Sequence, residues 1–262
     1  MARSIIGGLI SSGISGAQFR VSDPSPEQRE RLEEFPGLKA FDNNADCLDQ
    51  CDIVVMAVKP QIMKEALSSV DSMLQSRMPL VISIAAGILI KDIMLWIGAP
   101  LPVIRVMPNT PALVNCGVSG LFANGLADQH HKNAAQSIMQ AVGPAIWVDH
   151  ESDIDTVTGV SGSGPAYFFK LMEIMMDAAQ SHGLDSEAAR TLVLQTALGA
   201  ARLANESEVG PGELRRQVTS PKGTTEAAIN AMEDRGIEQT VKAGIQAAID
   251  RSEELADILG DR

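Results

Sequence analysis

Aromatic residues are nearly missing from this chain: six Phe, two Trp and one Tyr in 262 residues. The composition is 45% hydrophobic, enough for a sizeable core, so aliphatic side chains and 12 Met must fill it. Cysteine is scarce too. Cys47, Cys51 and Cys116 are an odd number without a disulfide pattern, which fits a reducing compartment. Cys47 and Cys51 are spaced to share a helix face, but no His or further Cys completes a ligand set, so no metal is expected. Positive charge is in the minority, 21 Lys and Arg against 33 Asp and Glu. The net charge of −12 argues against nucleic acid and anionic membranes as partners. No apolar run is long enough to span a bilayer, and Ile5 to Ile10 is too short and glycine-broken for a leader. A soluble, cytoplasmic protein is expected.

Also lacking is the opening of a nucleotide-binding unit. Ala2 to Ser12 reads as a helix closed by Gly13, and Gln18 to Val21 as a strand. A nucleotide-binding βαβ unit needs a strand and a Gly-rich turn ahead of that helix, so the chain opens inside the unit.

What is present up to about Asp149 alternates apolar runs with helical stretches. Ser25-Pro26-Glu27-Gln28 is a helix start. Ile53 to Val58, Leu80 to Ile84 and Val103 to Val106 are apolar runs of the kind that fill strands covered on both faces, hence a parallel sheet. Gly120 to Ala123 and Ala145 to Val148 extend it. Helices are expected at Gln61 to Leu74 and Ile90 to Ile97, giving an α/β, doubly wound, Rossmann-type sheet with its first strand missing. Ligands of such sheets bind beyond the carboxyl ends of the strands, so Lys59-Pro60, Ser83 to Gly87 and Met107 to Pro111 should converge on one crevice. His130 and His131 fall in a polar loop or helix start.

After Asp149 the pattern is all helical, with helices at Pro165 to His182, Ser186 to Asn205, Gly212 to Val218, Thr224 to Asp234 and Ile237 to Leu259. Pro165 to His182 carries one narrow polar stripe, Lys170, Glu173 and Asp177, and a second subunit is the natural cover for so apolar a helix. We expect an α/β domain over 1–149 and an all-helical domain over 150–262. Two Gly- and hydroxyl-rich breaks, Thr158 to Phe169 and Val218 to Ala228, each run into a helix start. Each would aim unpaired N–H groups at a small anionic ligand, unless both are ordinary capped helices.

In order and spacing, MARSIIGGLI, AVKPQ, SIAAG, RVMPNTPALVNCG, SGSGPAYFF and VTSPKGTTEAA resemble the motifs of pyrroline-5-carboxylate reductase across essentially the whole chain. The resemblance implies a dinucleotide-binding domain followed by a helical dimerisation and substrate domain. It implies reduction of 1-pyrroline-5-carboxylate to L-proline by hydride from NADPH or NADH, in a homodimer or higher oligomer. It places Ala57, Lys59 and Pro60 on the ribose and nicotinamide side of the cofactor. Ile84 and Ala85 fall beside the nicotinamide, Asn44 near the adenosine half, and Asn109 on the crevice floor. Ser220, Gly223, Thr224 and Thr225 match the loop that holds the substrate carboxylate. Thr225 matches the hydroxyl that meets the ring nitrogen, and Glu208 matches an acidic residue near the substrate in some members.

The chain departs from the family in three places. The opening strand and Gly-x-Gly turn are absent, Met1-Ala2 matching the turn's last two positions, which implies either a start assigned too far downstream or a truncated form. Lys222 stands where a second Gly is common, and Gln217 where some members have Asn. Asp23, after the strand at Gln18 to Val21, favours NADH, whereas the family's habit and Ser22, a hydroxyl able to bond a phosphate, favour NADPH. The competing readings are a helical dimerisation protein with a defective nucleotide site and a reductase of another cyclic imine.

Overall fold

A computed structural model describes residues 1–260. The chain forms two compact units: Met1–Ser163 together with the chain from Ala247 onward, and Gly164–Gln246.

In order, the first unit contains α1 (Ala2–Ser11), β1 (Arg20–Ser22), α2 (Pro26–Glu33), β2 (Lys39–Phe41), α3 (Asn44–Leu48), β3 (Ile53–Met56), α4 (Met63–Ser68), α5 (Asp71–Arg77) and β4 (Leu80–Ser83). It continues through α6 (Ile90–Ile97), β5 (Val103–Met107), β6 (Ser119–Ala123), α7 (Gln129–Gln140), β7 (Ala145–Trp147) and α8 (Asp153–Val157). Strand pleating sorts the core. Val81 and Val103 join the buried Met63, Leu67, Leu74, Ile93 and Ile97 of α4, α5 and α6. Leu80, Ile82, Ile104 and Val106 join Ile5 and Leu9 of α1 and Ala135 and Met139 of α7. Helices therefore cover both faces, and all four residues of β4 are buried.

This is the expected Rossmann-like architecture, with three corrections. The strands form two sheets, a parallel pair β1-β2 and a five-stranded sheet ordered β3-β4-β5-β6-β7. The five-stranded sheet is mixed, because β5 and β6 are antiparallel. Their connection holds a 3-10 turn, Thr110–Val114, and no crossover helix, which a parallel pairing would need. The helix expected over Gln61 to Leu74 is broken: a 3-10 turn at Pro60–Ile62 precedes α4, and α5 starts afresh after Val70. Ser69 Oγ donates to the Ala66 carbonyl at the break, a local bond that competes with helix continuation.

The second unit holds α9 (Gly164–Ser181), α10 (Ser186–Glu206), α11 (Pro211–Gln217), α12 (Thr224–Asp234) and the start of α13 (Ile237–Gly260). Gly183, at φ +95°, turns the chain between α9 and α10, and the Asp185 side chain caps α10 by accepting from the Ala188 N–H. Ala189 and Val193 are buried. Phe168, Phe169, Ile174, Leu192, Leu198 and Leu203 are each more than half exposed, an apolar surface far beyond what a lone helical unit leaves to water.

Candidate active site

In the first unit, Met56 pairs with Ser83 and Ser83 with Arg105, so the carboxyl ends of β3, β4 and β5 lie side by side. The three exits expected to converge are therefore neighbours. Ala57 and Lys59 are exposed and Pro60 is half-buried at the first exit. At the second, the buried Ser83 hydroxyl accepts weakly from the Ala85 N–H at 3.4 Å, and Gly87 turns the chain at φ +69°. A side chain at Gly87 would meet Leu255 of α13 at 3.1 Å, so α13 closes the back of this loop.

Past the loop, Glu151 Oε1 accepts from the Ile90 N–H at 2.8 Å and from Arg105 Nη1 at 2.9 Å. The second contact neutralises a guanidinium that is only 2% exposed; the first satisfies the opening turn of α6. Asn109 sits at the third exit with both ends of its amide in use. Its Oδ1 accepts from the Val118 N–H and its Nδ2 donates to the Ser161 carbonyl. In this structure it ties β5 to the start of β6 and to the turn after α8.

At the carboxyl end of β1, Ser22 Oγ donates to Asn44 Oδ1 at 2.6 Å. Asn44 Nδ2 donates to Ser69 Oγ at 3.1 Å, and the Ser69 hydroxyl in turn donates to the Ala66 carbonyl. Ser22 and Asn44 therefore meet. Cys47 lies beside Ser22; burial pushes its thiol up to about 11, the Cys51 thiol adds to this, and Ser22 and Arg20 oppose it. Burial also raises Cys51. Both are protected thiols, and no three metal-ligating side chains cluster among the described residues.

The first half of the break expected over Thr158 to Phe169 is itself helical. Thr158–Gly162 is a π turn continuing α8, not a free helix start. Its hydroxyls serve the backbone: Thr158 Oγ1 donates to Ile154 O and Ser161 Oγ to Val157 O. Gly162 is there for closeness, since an added Cβ would lie 2.4 Å from the end of the Met107 side chain.

The second cradle is present, within the second unit. Gly223 is the N-cap of α12 and offers no side chain, so the first-turn N–H groups of Thr224 and Thr225 have no side-chain cap. Thr225 is half-buried in that turn, while Ser220 is exposed and accepts from the Gly223 N–H through its carbonyl. An added Cβ on Gly223 would come within 2.9 Å of that carbonyl. Lys222 adopts φ +60°, and its N–H donates to Glu226 Oε2 at 2.7 Å. Glu208 stands apart, exposed in the turn between α10 and α11.

A family model described as pyrroline-5-carboxylate reductase dimerisation matches residues 151–255. Another, described as NADP oxidoreductase, coenzyme F420-dependent, matches residues 1–87. A pyrroline-5-carboxylate reductase of Pseudomonas aeruginosa is 49% identical over 260 residues, spanning 99% of this chain and 95% of that protein. The chain belongs to the pyrroline-5-carboxylate reductase family. Among solved structures, a pyrroline-5-carboxylate reductase from Coxiella burnetii shares 40% identity and a TM-score of 0.92, covering 97% of this chain and 94% of that one. One from Plasmodium falciparum, solved with NADP bound, shares 28% identity and a TM-score of 0.84 over the same proportions. A dimerisation-family match accounts for the exposed apolar face of α9 and α10: the reductase is a homo-oligomer.

Three residues that support these strand ends were missed in the sequence. They are Ser69, Arg105 and Glu151. Arg105 alone carried a signal, as the one charge inside the apolar run VIRVM.

Proposed function

We infer that this protein reduces 1-pyrroline-5-carboxylate to L-proline with hydride from NAD(P)H. Near-full-length kinship to named reductases carries that reading, at 49% identity over 99% of the chain. The structure is compatible with the cofactor at each end. Ser22 and Asn44 offer a hydroxyl and an amide for the adenosine half, and Ala57, Lys59, Pro60, Ile84 and Ala85 frame the exits of β3 and β4 for the other. In between, α1 starts without a side-chain cap, and the Ser4 hydroxyl in its first turn is buried with no partner, a polar atom that awaits a ligand. When bound, the reduced nicotinamide supplies the hydride.

The chain's own residues do the rest. The substrate is a cyclic imine bearing a carboxylate. The open N–H groups at the start of α12, with the Ser220 to Gly223 turn, suit the carboxylate. The Thr225 hydroxyl suits the imine nitrogen, whose hydrogen bonding or protonation makes the adjacent carbon accept hydride. Most of the acceleration then comes from holding two molecules in one orientation. Asn109 supports the crevice floor through its two backbone ties, and Glu208 is assigned to the substrate side on family likeness alone.

Among the described residues no helix is long and apolar enough to cross a membrane. We place the protein in the cytoplasm, a location consistent with three free cysteines.

The test is the loss of reduced-nicotinamide absorbance when the imine is added to protein and cofactor, repeated with cyclic imines of larger ring. Turnover highest on the five-membered ring supports the reading. Turnover confined to another ring, or none above the blank, overturns it in favour of a different imine reductase or a helical protein with a dead nucleotide site.

A further inference from the structure

The loop after β4, Ile84 to Leu89, leaves the sheet between the exits of β3 and β5. Ligands of an open α/β sheet lie beyond the carboxyl ends of its strands, so this loop forms the middle of the crevice floor. Its start is tied to β3, where the Ile84 N–H donates to the Met56 carbonyl at 3.2 Å. Ala85, Gly87 and Ile88 are buried. Its far end lacks a cap of its own: the N-cap of α6 is Leu89, whose side chain cannot accept an N–H bond.

Glu151, 61 residues beyond Ile90, fills that role. Its Oε1 accepts from the Ile90 N–H at 2.8 Å. The same oxygen accepts from Arg105 Nη1 at 2.9 Å, and Arg105 stands on β5 opposite Ser83 of β4. One oxygen thus fixes the end of the loop to the sheet that the loop leaves. The Glu151 segment is anchored in turn. Asp155 Oδ1, buried on α8, accepts from the buried Ser252 hydroxyl of α13 at 2.6 Å. Further along α13, Leu255 lies against Gly87, where an added Cβ would meet it at 3.1 Å. The loop is therefore held at its end by the segment before α8 and from behind by α13, and those two are bonded to each other.

We propose that Glu151 is a positioning residue for hydride transfer: through the Ile90 N–H it fixes the Ile84 to Gly87 loop, against which the nicotinamide is held. The ion pair with Arg105 keeps the protein folded and is separable from that task. The proposal rests on the reductase reading for what lies on the loop, but the position of the loop is tested without cofactor.

Two variants divide the bond from the charge. Glu151→Gln keeps an oxygen for both N–H donors and removes the charge. It should unfold at lower denaturant concentration, because Arg105 loses its counter-ion, yet retain kcat within about twofold. Arg105→Met with Glu151→Leu removes the buried charge and the acceptor together. It should unfold near the natural midpoint, yet lose about ten- to a hundredfold in kcat, with KM for the imine within about twofold, because the loop is loosened while the turn before α12 is untouched. Hydrogen exchange of the full chain without cofactor reads the loop directly. The peptide spanning 84–90 should exchange at least about tenfold faster in the double variant and near the natural rate in Glu151→Gln. A pair that only stabilises the fold gives the reverse ranking, with kcat following the midpoint. That ranking overturns the proposal, as does unchanged 84–90 exchange in the double variant. If the double variant does not fold, Glu151→Gln decides: kcat retained despite the lowered midpoint supports the proposal, and kcat lost with it overturns it. If the natural protein reduces no imine, the reaction assignment falls and exchange alone decides whether Glu151 sets the loop.

Discussion

Arg105 and Glu151 lie 46 residues apart and meet at 2.9 Å, the guanidinium almost wholly buried and the carboxylate half-buried. Because the same Glu151 oxygen receives the Ile90 N–H, one carboxylate holds both the centre of the sheet and the start of the helix that follows the Ile84 to Gly87 loop.

Removing the carboxylate leaves a buried cation alone. Glu151→Ala should therefore destabilise the protein by about 3–5 kcal/mol. Equilibrium denaturation checks this. A double replacement, Arg105→Met with Glu151→Leu, should recover most of the loss, because no unpaired charge remains.

Lys222 is the one departure from the family pattern that the backbone penalises directly. It sits at φ +60°, a region that costs a residue with a side chain roughly 1–2 kcal/mol and glycine little. Lys222→Gly should raise the unfolding free energy by about 1 kcal/mol. Its N–H bond to Glu226 is a backbone contact and survives the change. Chemical denaturation of the pair of proteins measures the difference.

Thr225→Val keeps the branched shape and removes the hydroxyl. Loss of one hydrogen bond to a developing charge should cost about 1.5–3 kcal/mol, roughly ten- to a hundredfold in kcat, with cofactor affinity little changed. Gly223→Ala should act on KM instead. Its methyl meets the Ser220 carbonyl at 2.9 Å and shifts the turn that receives the carboxylate. Full turnover by Thr225→Val would remove the hydroxyl from the chemistry.

The exposed rings of Phe168 and Phe169 lie on the helix that the dimerisation family covers. Phe169→Glu puts a charge on that face and should shift the protein toward monomer in light scattering at micromolar concentration, with the secondary structure retained.

Alkylation should separate the cysteines. Cys116 is exposed and should react first. Cys47, its thiol pushed up to about 11 by burial, holds almost no thiolate at pH 8 and should remain unmodified in the native protein. Mass mapping after a short iodoacetamide pulse shows which has reacted.

Where one physical signal dominates, the sequence was enough. The β-branched runs at Ile53 and Leu80 became strands, and α6 and α12 occupy the residues their apolar spacing and flanking glycines marked. The start of α12 could be placed because Gly223 breaks the chain just before its apolar spacing begins. Short or masked elements escaped. Lys39–Phe41 is too brief to show a pattern, and α3 is only five residues long. The polar first turns of α7, Gln129 to Asn133, hide the buried Ala135 and Met139 behind them. Thr158–Gly162 misled for a different reason: hydroxyls beside glycines suit a ligand cradle and a back-bonded helix equally well, and only three-dimensional partners separate the two. A long-range partner such as Glu151 for Arg105 leaves no local trace in the chain.

The division of the strands into two sheets has a further effect on how the protein behaves in bulk. β3 is Ile-Val-Val-Met, apolar throughout, yet its first three residues are only half-buried and, among the described residues, it pairs with β4 on one side alone. Its other edge presents backbone donors and acceptors beside oily side chains, with no lysine, proline or bulge within the strand to deter a visiting chain. Concentrated or warmed samples should therefore clump through edge-to-edge strand pairing, a sticky route separate from the ordered helical association of α9. A lysine introduced at Val54 would act as a gatekeeper against the first without touching the second.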